Sequence, residues 1–353
     1  MPCVTNLEQR QFELVTYIHT ALTPGNTLKM LRNILLSSLL AASATCVSCH
    51  PKLRTEHFLN SGPSLDMVST LIIGSEAAAI IDLPLAVPQA IDLAEWVANT
   101  TEKPLVAAFS SHFHPDHYLS GAAFLAKFPA TKFYANSKAV DLIKNDAAER
   151  IKAWKNVLGD DVIVDKAAIP TPYDFTFFTL PGDYSSPIYL LSPLAGDTVD
   201  ETLFWIPSIS TLIAGDSVYS HTLHLWLADQ LSPALTDAWL STLDFIEYLK
   251  PNKVIAGHTT TLDSLNTKLD LEYSRRYLKF FQQKIQSKGK NFFTPQEISK
   301  KLAKEFPGRL ESSTSALLLN ISSEELGRGG SKLARTFDLT SYNVTGLESW
   351  KLD

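Results

Sequence analysis

The sequence predicts an α/β fold, a four-layer αββα sandwich with a C-terminal helical extension. Two features of the pattern favour this fold. Short apolar runs of strand length alternate with helical segments, and strands followed by helices occur twice along the chain. The third observation is size, since 353 residues with 45% hydrophobic and 19% charged side chains suffice for one large domain and an appendage. We therefore expect two β-sheets packed face to face and covered by helices.

The first half of the sandwich begins with an antiparallel strand pair. A helix with apolar residues at helical spacing then leads to a buried strand at 104–110. The predicted elements are strands 67–73, 78–81, 104–110 and 132–135 and helices 87–99, 121–128 and 137–157. The second half is richer in strands. Its predicted elements are strands 175–179, 188–191, 202–206, 211–214 and 253–256 and helix 237–249.

The composition changes after His258, and residues 266–353 are predicted to form the helical extension and a tail. Helices are expected over 265–288 and 295–306. Thr294-Pro295-Gln296-Glu297 provides an N-cap, a first-turn proline and an acidic residue at N3. The extension stabilises the sandwich, shapes a substrate pocket or mediates a homodimer, and the sequence leaves these alternatives open. The glycine-rich run 327–330 indicates a flexible joint before the tail.

Residues 1–50 form an N-terminal extension with a signal-like segment at 30–44, where a basic start, an apolar stretch and small residues follow one another. This pattern predicts secretion. The alternative is an amphipathic or buried helix of a cytoplasmic protein. The apolar stretch is too short to be a membrane anchor. All three cysteines (Cys3, Cys46 and Cys49) precede residue 50, so no disulfide framework is expected in the main domain. The net charge of −6 gives no reason to expect nucleic-acid binding.

The most informative motif is the H-x-H-x-D-H run formed by His112, His114, Asp116 and His117, which follows a predicted strand and precedes a predicted helix. Imidazole nitrogens and carboxylate oxygens are usual ligands of zinc and similar first-row metals. Alternation along an extended segment sends His112 and His114 to the same side of the chain. Asp116 and His117 lie just beyond, where a turn can direct them to a second metal.

This motif resembles the signature of the metallo-β-lactamase-fold superfamily, and three other segments agree with it. Asp82 ends an early predicted strand, Asp216 follows a later one, and His258 follows the last predicted core strand. The resemblance covers about residues 55–265, the predicted catalytic domain. It implies the four-layer sandwich and a metal site on loops at one edge.

One position departs from the pattern of that superfamily. Most members place a further metal-binding histidine in a Gly-His-Thr segment before the bridging aspartate, whereas this chain has Gly196-Asp197-Thr198 there. A carboxylate is a competent metal ligand, so Asp197 is a candidate replacement. The alternative is that Asp197 only stabilises a turn, in which case a mononuclear or asymmetric site follows.

The resemblance implies roles for the remaining candidates. His112, His114 and Asp197 would bind one metal, Asp116, His117 and His258 the other, and Asp216 would bridge the two. Two zinc ions are expected, with iron or manganese as alternatives. Asp82 is expected to support a ligand from behind. Asp116 and Tyr219 are the catalytic candidates. Tyr219 follows Asp216 by three residues, a spacing similar to that of lactone-opening members, in which a tyrosine hydroxyl stabilises the oxyanion.

The predicted function is a metal-dependent hydrolase in which a metal-bound hydroxide opens the cyclic amide or ester (lactam or lactone) of a small metabolite or xenobiotic. The loop after Asp216 contributes His221, His224 and Trp226 as candidate substrate-pocket residues. A thioesterase acting on an acyl thioester is an alternative. A degenerate, non-catalytic metal-binding module is a third hypothesis.

Overall fold

The computed structural model describes residues 53–342, in which two mixed β-sheets pack against each other between layers of helices. The strands are β1 Arg54–Asn60, β2 Met67–Ile73, β3 Ala78–Ile81, β4 Leu105–Phe109, β5 Lys132–Ala135, β6 Thr171–Pro172, β7 Phe177–Phe178, β8 Ile188–Leu194, β9 Glu201–Ile206, β10 Thr211–Ile213 and β11 Lys253–Ile255. The helices are α1 Val87–Thr100, α2 Gly121–Leu125, α3 Ser137–Leu158, α4 Pro233–Leu249, α5 Thr267–Lys284, α6 Pro295–Glu305 and α7 Ser313–Leu326. The predicted α/β fold class is confirmed.

The first sheet has the strand order β1-β2-β3-β4-β5-β6, antiparallel from β1 to β3 and parallel from β3 to β6. The second has the order β11-β10-β9-β8-β7 and is antiparallel except for the β10–β11 pair. Strand β1 was not predicted as a separate element because its residues are half-buried and mostly polar, with no clean alternation. The strand expected at 175–179 is reduced to two residues.

Alternation along the central strands explains the four layers. Ile72 of β2 and Phe204 of β9 belong to the apolar layer between the two sheets. Leu71, the neighbour of Ile72, points to the other face and packs with Leu93 of α1. On the far side of the second sheet, Leu203 packs with α4 and α5. Strands buried on both faces in this way favour continuous apolar runs. Strand β3 has such a run, and β2 has one apart from Ser69 and Thr70, although all its residues are buried.

The C-terminal helices pack onto the second sheet and onto the loops above it. The capping box predicted at Thr294 is present, since its side chain accepts from the Glu297 amide and the Glu297 carboxylate accepts from the Thr294 amide. Helix α7 was not predicted because serines interrupt its apolar pattern. In the structure two of these serines bind a neighbouring loop. Ser315 and Ser322 accept hydrogen bonds from the backbone amides of His224 and Leu227. Helix α7 thereby fixes the loop that follows Asp216.

The tail after the glycine-rich run packs against the rest of the described chain. Residues 331–342 return across the molecule, and the side chain of Arg335 forms ion pairs with Asp229 and Glu325. The predicted signal segment 30–44 and the three cysteines lie outside the described residues. Within residues 53–342, no helix combines the length and the apolar character needed to cross a membrane.

Candidate metal centre

Four loops bring the predicted ligands together at one edge of the sandwich. The histidine motif follows β4, Asp197 lies between β8 and β9, Asp216 follows β10 and His258 follows β11. The two sheets meet here, because His258 forms isolated bridges with Met67 and with Tyr219. The loop after β4 is fixed by backbone hydrogen bonds, among them one from the amide of Leu83 to the carbonyl of His117. The sequence thus places every predicted ligand on a loop with strong backbone support.

The first cluster consists of His112, His114, Asp197 and Asp216, whose potential ligand atoms lie within 4.8 Å of one another. His114 Nδ1 lies 3.3 Å from Asp197 Oδ2, and His112 Nε2 lies 3.9 Å from Asp197 Oδ1. Three atoms of this cluster are buried without a hydrogen-bond partner among the described residues, namely His112 Nε2, Asp197 Oδ1 and Asp216 Oδ1. Buried polar atoms normally have partners, so their convergence fits a metal ion that binds all three.

The second cluster consists of Asp116, His117 and His258. Asp116 Oδ2 lies 3.3 Å from His258 Nε2 and 3.8 Å from His117 Nε2. Asp216 reaches this cluster as well, since its two carboxylate oxygens lie 3.2 Å from His117 Nε2 and 3.1 Å from His258 Nε2. Asp216 therefore contacts members of both clusters, the position required of a bridging ligand.

Gly257 makes room for Asp216. A Cβ atom at residue 257 would lie 1.9 Å from Asp216 Oδ1 and 2.7 Å from the backbone of Gly215. Any larger residue would displace the carboxylate that joins the clusters. The site therefore requires glycine at position 257. The Gly257-His258 pair is a more informative sequence signal for this site than His258 alone.

Polar contacts on the side away from the metal-facing nitrogens orient three of the histidines. Asp82 Oδ2 lies 3.0 Å from His117 Nδ1, and Asp82 also accepts from the amide and hydroxyl of Ser111. The Nδ1 atom of His258 lies 2.7 Å from the carbonyl oxygen of Leu65. His114 Nε2 lies 2.9 Å from Asp229 Oδ2. Such contacts fix the ring orientation and the tautomer of a metal-binding histidine.

Asp229 was missed in the sequence. It lies in the loop before α4, it is buried, and its other carboxylate oxygen lies 2.7 Å from Nη2 of Arg335 in the C-terminal tail. No motif surrounds Asp229, and its partners are more than a hundred residues away on either side. The one available signal was a lone carboxylate directly after the apolar run 225–228.

The electrostatics of the protein groups also favour bound cations. Asp116, Asp197 and Asp216 are all at most 7% exposed. Burial and the neighbouring Asp216 carboxylate together raise the pKa of Asp197 to about 7, against the opposing charge of His114. Burial opposes ionisation of Asp116 too, but the charges of His117 and His258 lower its pKa. These carboxylates raise the pKa of His258 to about 10 against the opposing effect of burial, and they raise the pKa of His117 as well. The buried carboxylates therefore require cationic partners, a role that metal cations can take over from protonated histidines. The donor set therefore fits two first-row metal ions.

Tyr219 lies inside the centre. Its hydroxyl is 2.7 Å from Asp216 Oδ2 and 2.8 Å from Asp197 Oδ2, and its ring stacks on that of His258 at 5.3 Å between centroids. Burial and the two carboxylates raise the pKa of Tyr219 well above its usual value, so the hydroxyl keeps its proton at neutral pH. Tyr219 is thus a proton donor in contact with both clusters.

A cavity of about 190 Å³ opens onto the metal centre. Its wall includes Tyr219 and Trp226, and the Trp226 ring lies 5.8 Å from that of His114. His221 and His224, expected in the substrate pocket, do not line this cavity. Both histidines instead contact residues of helix α5. His221 Nδ1 lies 2.7 Å from Asp270, and His224 Nδ1 lies 2.9 Å from the Tyr277 hydroxyl.

His224 makes the free energy of unfolding depend on pH. Burial, with a smaller contribution from the charge of Arg309, lowers the pKa of His224 from 6.5 to about 4. The unfolded chain therefore binds a proton between these pH values that the folded chain does not bind, and stability falls as the pH drops below 6.5. At pH 5 this amounts to about 2 kcal/mol. Urea unfolding at pH 7 and pH 5 should show that His224→Asn loses less stability on acidification than the parent. An equal loss in both proteins would contradict this assignment.

Comparison with known proteins agrees with the geometry. A family model described as the metallo-beta-lactamase superfamily matches residues 65–258, more than half of the chain and the part that holds every predicted ligand. No curated protein matches the sequence significantly.

Several solved structures resemble the chain in fold. A metallo-β-lactamase from Pontibacter korlensis is 17% identical, with 65% of this chain and 95% of that chain covered and a TM-score of 0.44. Metallo-β-lactamase IND-7 is 18% identical, with 65% and 94% covered and a TM-score of 0.45. A double mutant of the sec-alkyl sulfatase PisA1 is 17% identical, with 77% and 48% covered and a TM-score of 0.51. At these identities the similarity concerns the fold alone.

Proposed function

The chain belongs to the metallo-β-lactamase superfamily, and from this premise we propose that it is a hydrolase that opens a lactone or lactam of a small metabolite or xenobiotic with two bound zinc ions. One observation carries the proposal: both His/Asp clusters and the Tyr219 hydroxyl meet at a single, largely apolar cavity. An apolar cavity with a few convergent polar groups suits a small cyclic substrate.

His112, His114 and Asp197 would hold one ion, Asp116, His117 and His258 the other, and Asp216 would contact both. When bound, such a pair of ions lowers the pKa of a coordinated water and polarises a carbonyl group. The protein contributes the positions of the ligands, and Asp82, Asp229 and the Leu65 carbonyl keep the histidine rings from rotating.

Ring opening adds one water across the acyl C–O or C–N bond. The hydroxyl joins the carbonyl carbon, and the ring oxygen or nitrogen takes a proton as it leaves. We assign the transfer of that proton to Asp116, because its carboxylate lines the cavity and is held near two histidines. Tyr219 would donate to the carbonyl oxygen as negative charge develops there, since burial keeps its hydroxyl protonated.

Hydrolysis of 3,4-dihydrocoumarin by the zinc-loaded protein tests this proposal. We expect ring opening that stops with a chelator, and a decrease of kcat of about tenfold to a hundredfold in Tyr219→Phe with little change in KM. Tyr273→Phe is the control, because this buried tyrosine donates to the Leu223 carbonyl and does not line the cavity.

Three outcomes would contradict the proposal. Rapid cleavage of an acyl thioester with no action on lactones or lactams would favour the thioesterase hypothesis. Failure to bind zinc would favour a degenerate, non-catalytic module. Equal rates for Tyr219→Phe and the parent would remove the role assigned to the hydroxyl.

A further inference from the structure

We infer that the cavity selects a substrate with an uncharged, apolar ring and rejects one that carries a carboxylate, and that helix α7 and the C-terminal tail determine this selectivity. The inference rests on the proposed function for its reaction. The substrate class is inferred from the wall of the cavity alone. The proposed reaction and the inferred substrate class can therefore be tested separately.

Most of the wall is apolar and comes from three distant parts of the chain. Helix α3 contributes Trp154, helix α7 contributes Leu317 and Ile321, and the tail contributes Phe337. Trp226 completes the wall beside His114. Phe337 is held by an edge-on contact with Phe113, with ring centroids 5.2 Å apart. A wall of aromatic and aliphatic side chains suits a planar ring that is itself apolar.

The basic side chains in the wall are already neutralised. Among the described residues that line the cavity, the basic groups besides the clustered histidines are Arg150 and Arg335. Arg150 Nε lies 2.6 Å from Asp146, and Arg150 also donates to the Ala334 carbonyl. Arg335 pairs with Asp229 at 2.7 Å and with Glu325 at 3.0 Å. Both guanidinium groups are therefore committed to protein carboxylates.

The charges of the predicted metal ligands also disfavour a substrate carboxylate. With Asp197 in the place of a histidine, three carboxylates (Asp116, Asp197 and Asp216) surround the two clusters. They offset three of the four positive charges that two divalent ions would bring. A substrate carboxylate would thus leave water for an apolar wall, would find no free cation there, and would face a nearly neutral centre.

A matched pair of lactones tests the inference, namely 6-carboxy-3,4-dihydrocoumarin and its uncharged methyl ester. Binding to the zinc-loaded protein is followed by quenching of tryptophan fluorescence, since Trp154 and Trp226 line the cavity. Ring opening is followed separately. We expect the ester to bind and react at least about a hundredfold better than the acid.

Two lysine variants on α7 test whether this helix determines the preference for the uncharged ester. Ile321→Lys adds a cation to the wall and should reduce the preference for the ester at least about tenfold, through tighter binding of the acid. Asn320→Lys adds the same charge at the adjacent, exposed position and should leave the preference unchanged. Thermal unfolding of both variants identifies any loss of folding, and the preference of the parent protein decides the inference in that case.

The inference would be overturned if the parent bound the acid as well as the ester or better. The proposed function fails in a different way, by binding the ester without opening the ring. In that event the fluorescence preference still decides the inference about the wall.

Discussion

Replacing Asp197 with asparagine should abolish tight binding of one of two zinc ions and lower kcat/KM for lactone opening about a thousandfold. Asparagine keeps the shape of the side chain but removes the negative charge that faces His112 and His114. One ion supplies several kcal/mol of transition-state stabilisation, and each 1.36 kcal/mol corresponds to a factor of ten. Calorimetric titration of zinc into the chelator-treated protein should show one strong site in the variant.

Asp200→Asn is the matched control for this variant. Asp200 lies in the same loop and is 3% exposed, but its carboxylate interacts with Lys138 and Tyr342 and belongs to neither cluster. We expect Asp200→Asn to retain two strong zinc sites and most of the activity. Two strong sites in Asp197→Asn would mean that Asp197 only stabilises a turn, the alternative that the sequence left open.

Replacing Asp229 with asparagine should weaken zinc binding about tenfold to a hundredfold, because His114 would lose the carboxylate that fixes its ring. It should also lower the free energy of unfolding by about 3 kcal/mol, since Arg335 would lose one of its two buried partners. Zinc titration measures the first effect, and urea unfolding of the metal-free protein measures the second.

Asp146→Asn separates these two effects. Asp146 is buried like Asp229, pairs with Arg150 and lines the same cavity, but it contacts no histidine. This variant should lose stability comparably while its zinc affinity stays within about twofold of the parent. Equal zinc affinities in Asp146→Asn and Asp229→Asn would show that Asp229 does not act through His114.

The sequence predicted the part of the site that depends on local chain geometry. His112, His114, Asp116 and His117 share one short loop after a buried strand, and the end of a strand fixes the positions of Asp216 and His258. Asp197 was located differently, because Gly196-Asp197-Thr198 stands where most members of the superfamily have a Gly-His-Thr segment. Each of these residues lies beside the end of a strand, so local chain geometry determines its position, and the resemblance to the superfamily implied that the separate loops converge.

The remainder depends on contacts between distant segments. The loop after Asp216 carries two histidines, and only the position of α5 determines that Asp270 and Tyr277 bind them on the far side from the cavity. Helix α7 was not predicted because serines interrupt its apolar pattern, and two of these serines bind the distant loop that follows Asp216. The structure of the tail could not be predicted because the partners of Arg335 lie elsewhere in the chain.

Anomalous diffraction at the zinc edge, from crystals of the full chain grown with zinc, tests the central claim most directly. We expect two peaks, one about 2.0–2.2 Å from His112 Nε2, His114 Nδ1 and a carboxylate oxygen of Asp197, and one at the same distance from Asp116, His117 and His258. A single peak, with Asp197 turned away from it, would contradict the dinuclear centre and the assignment of Asp197 as a ligand.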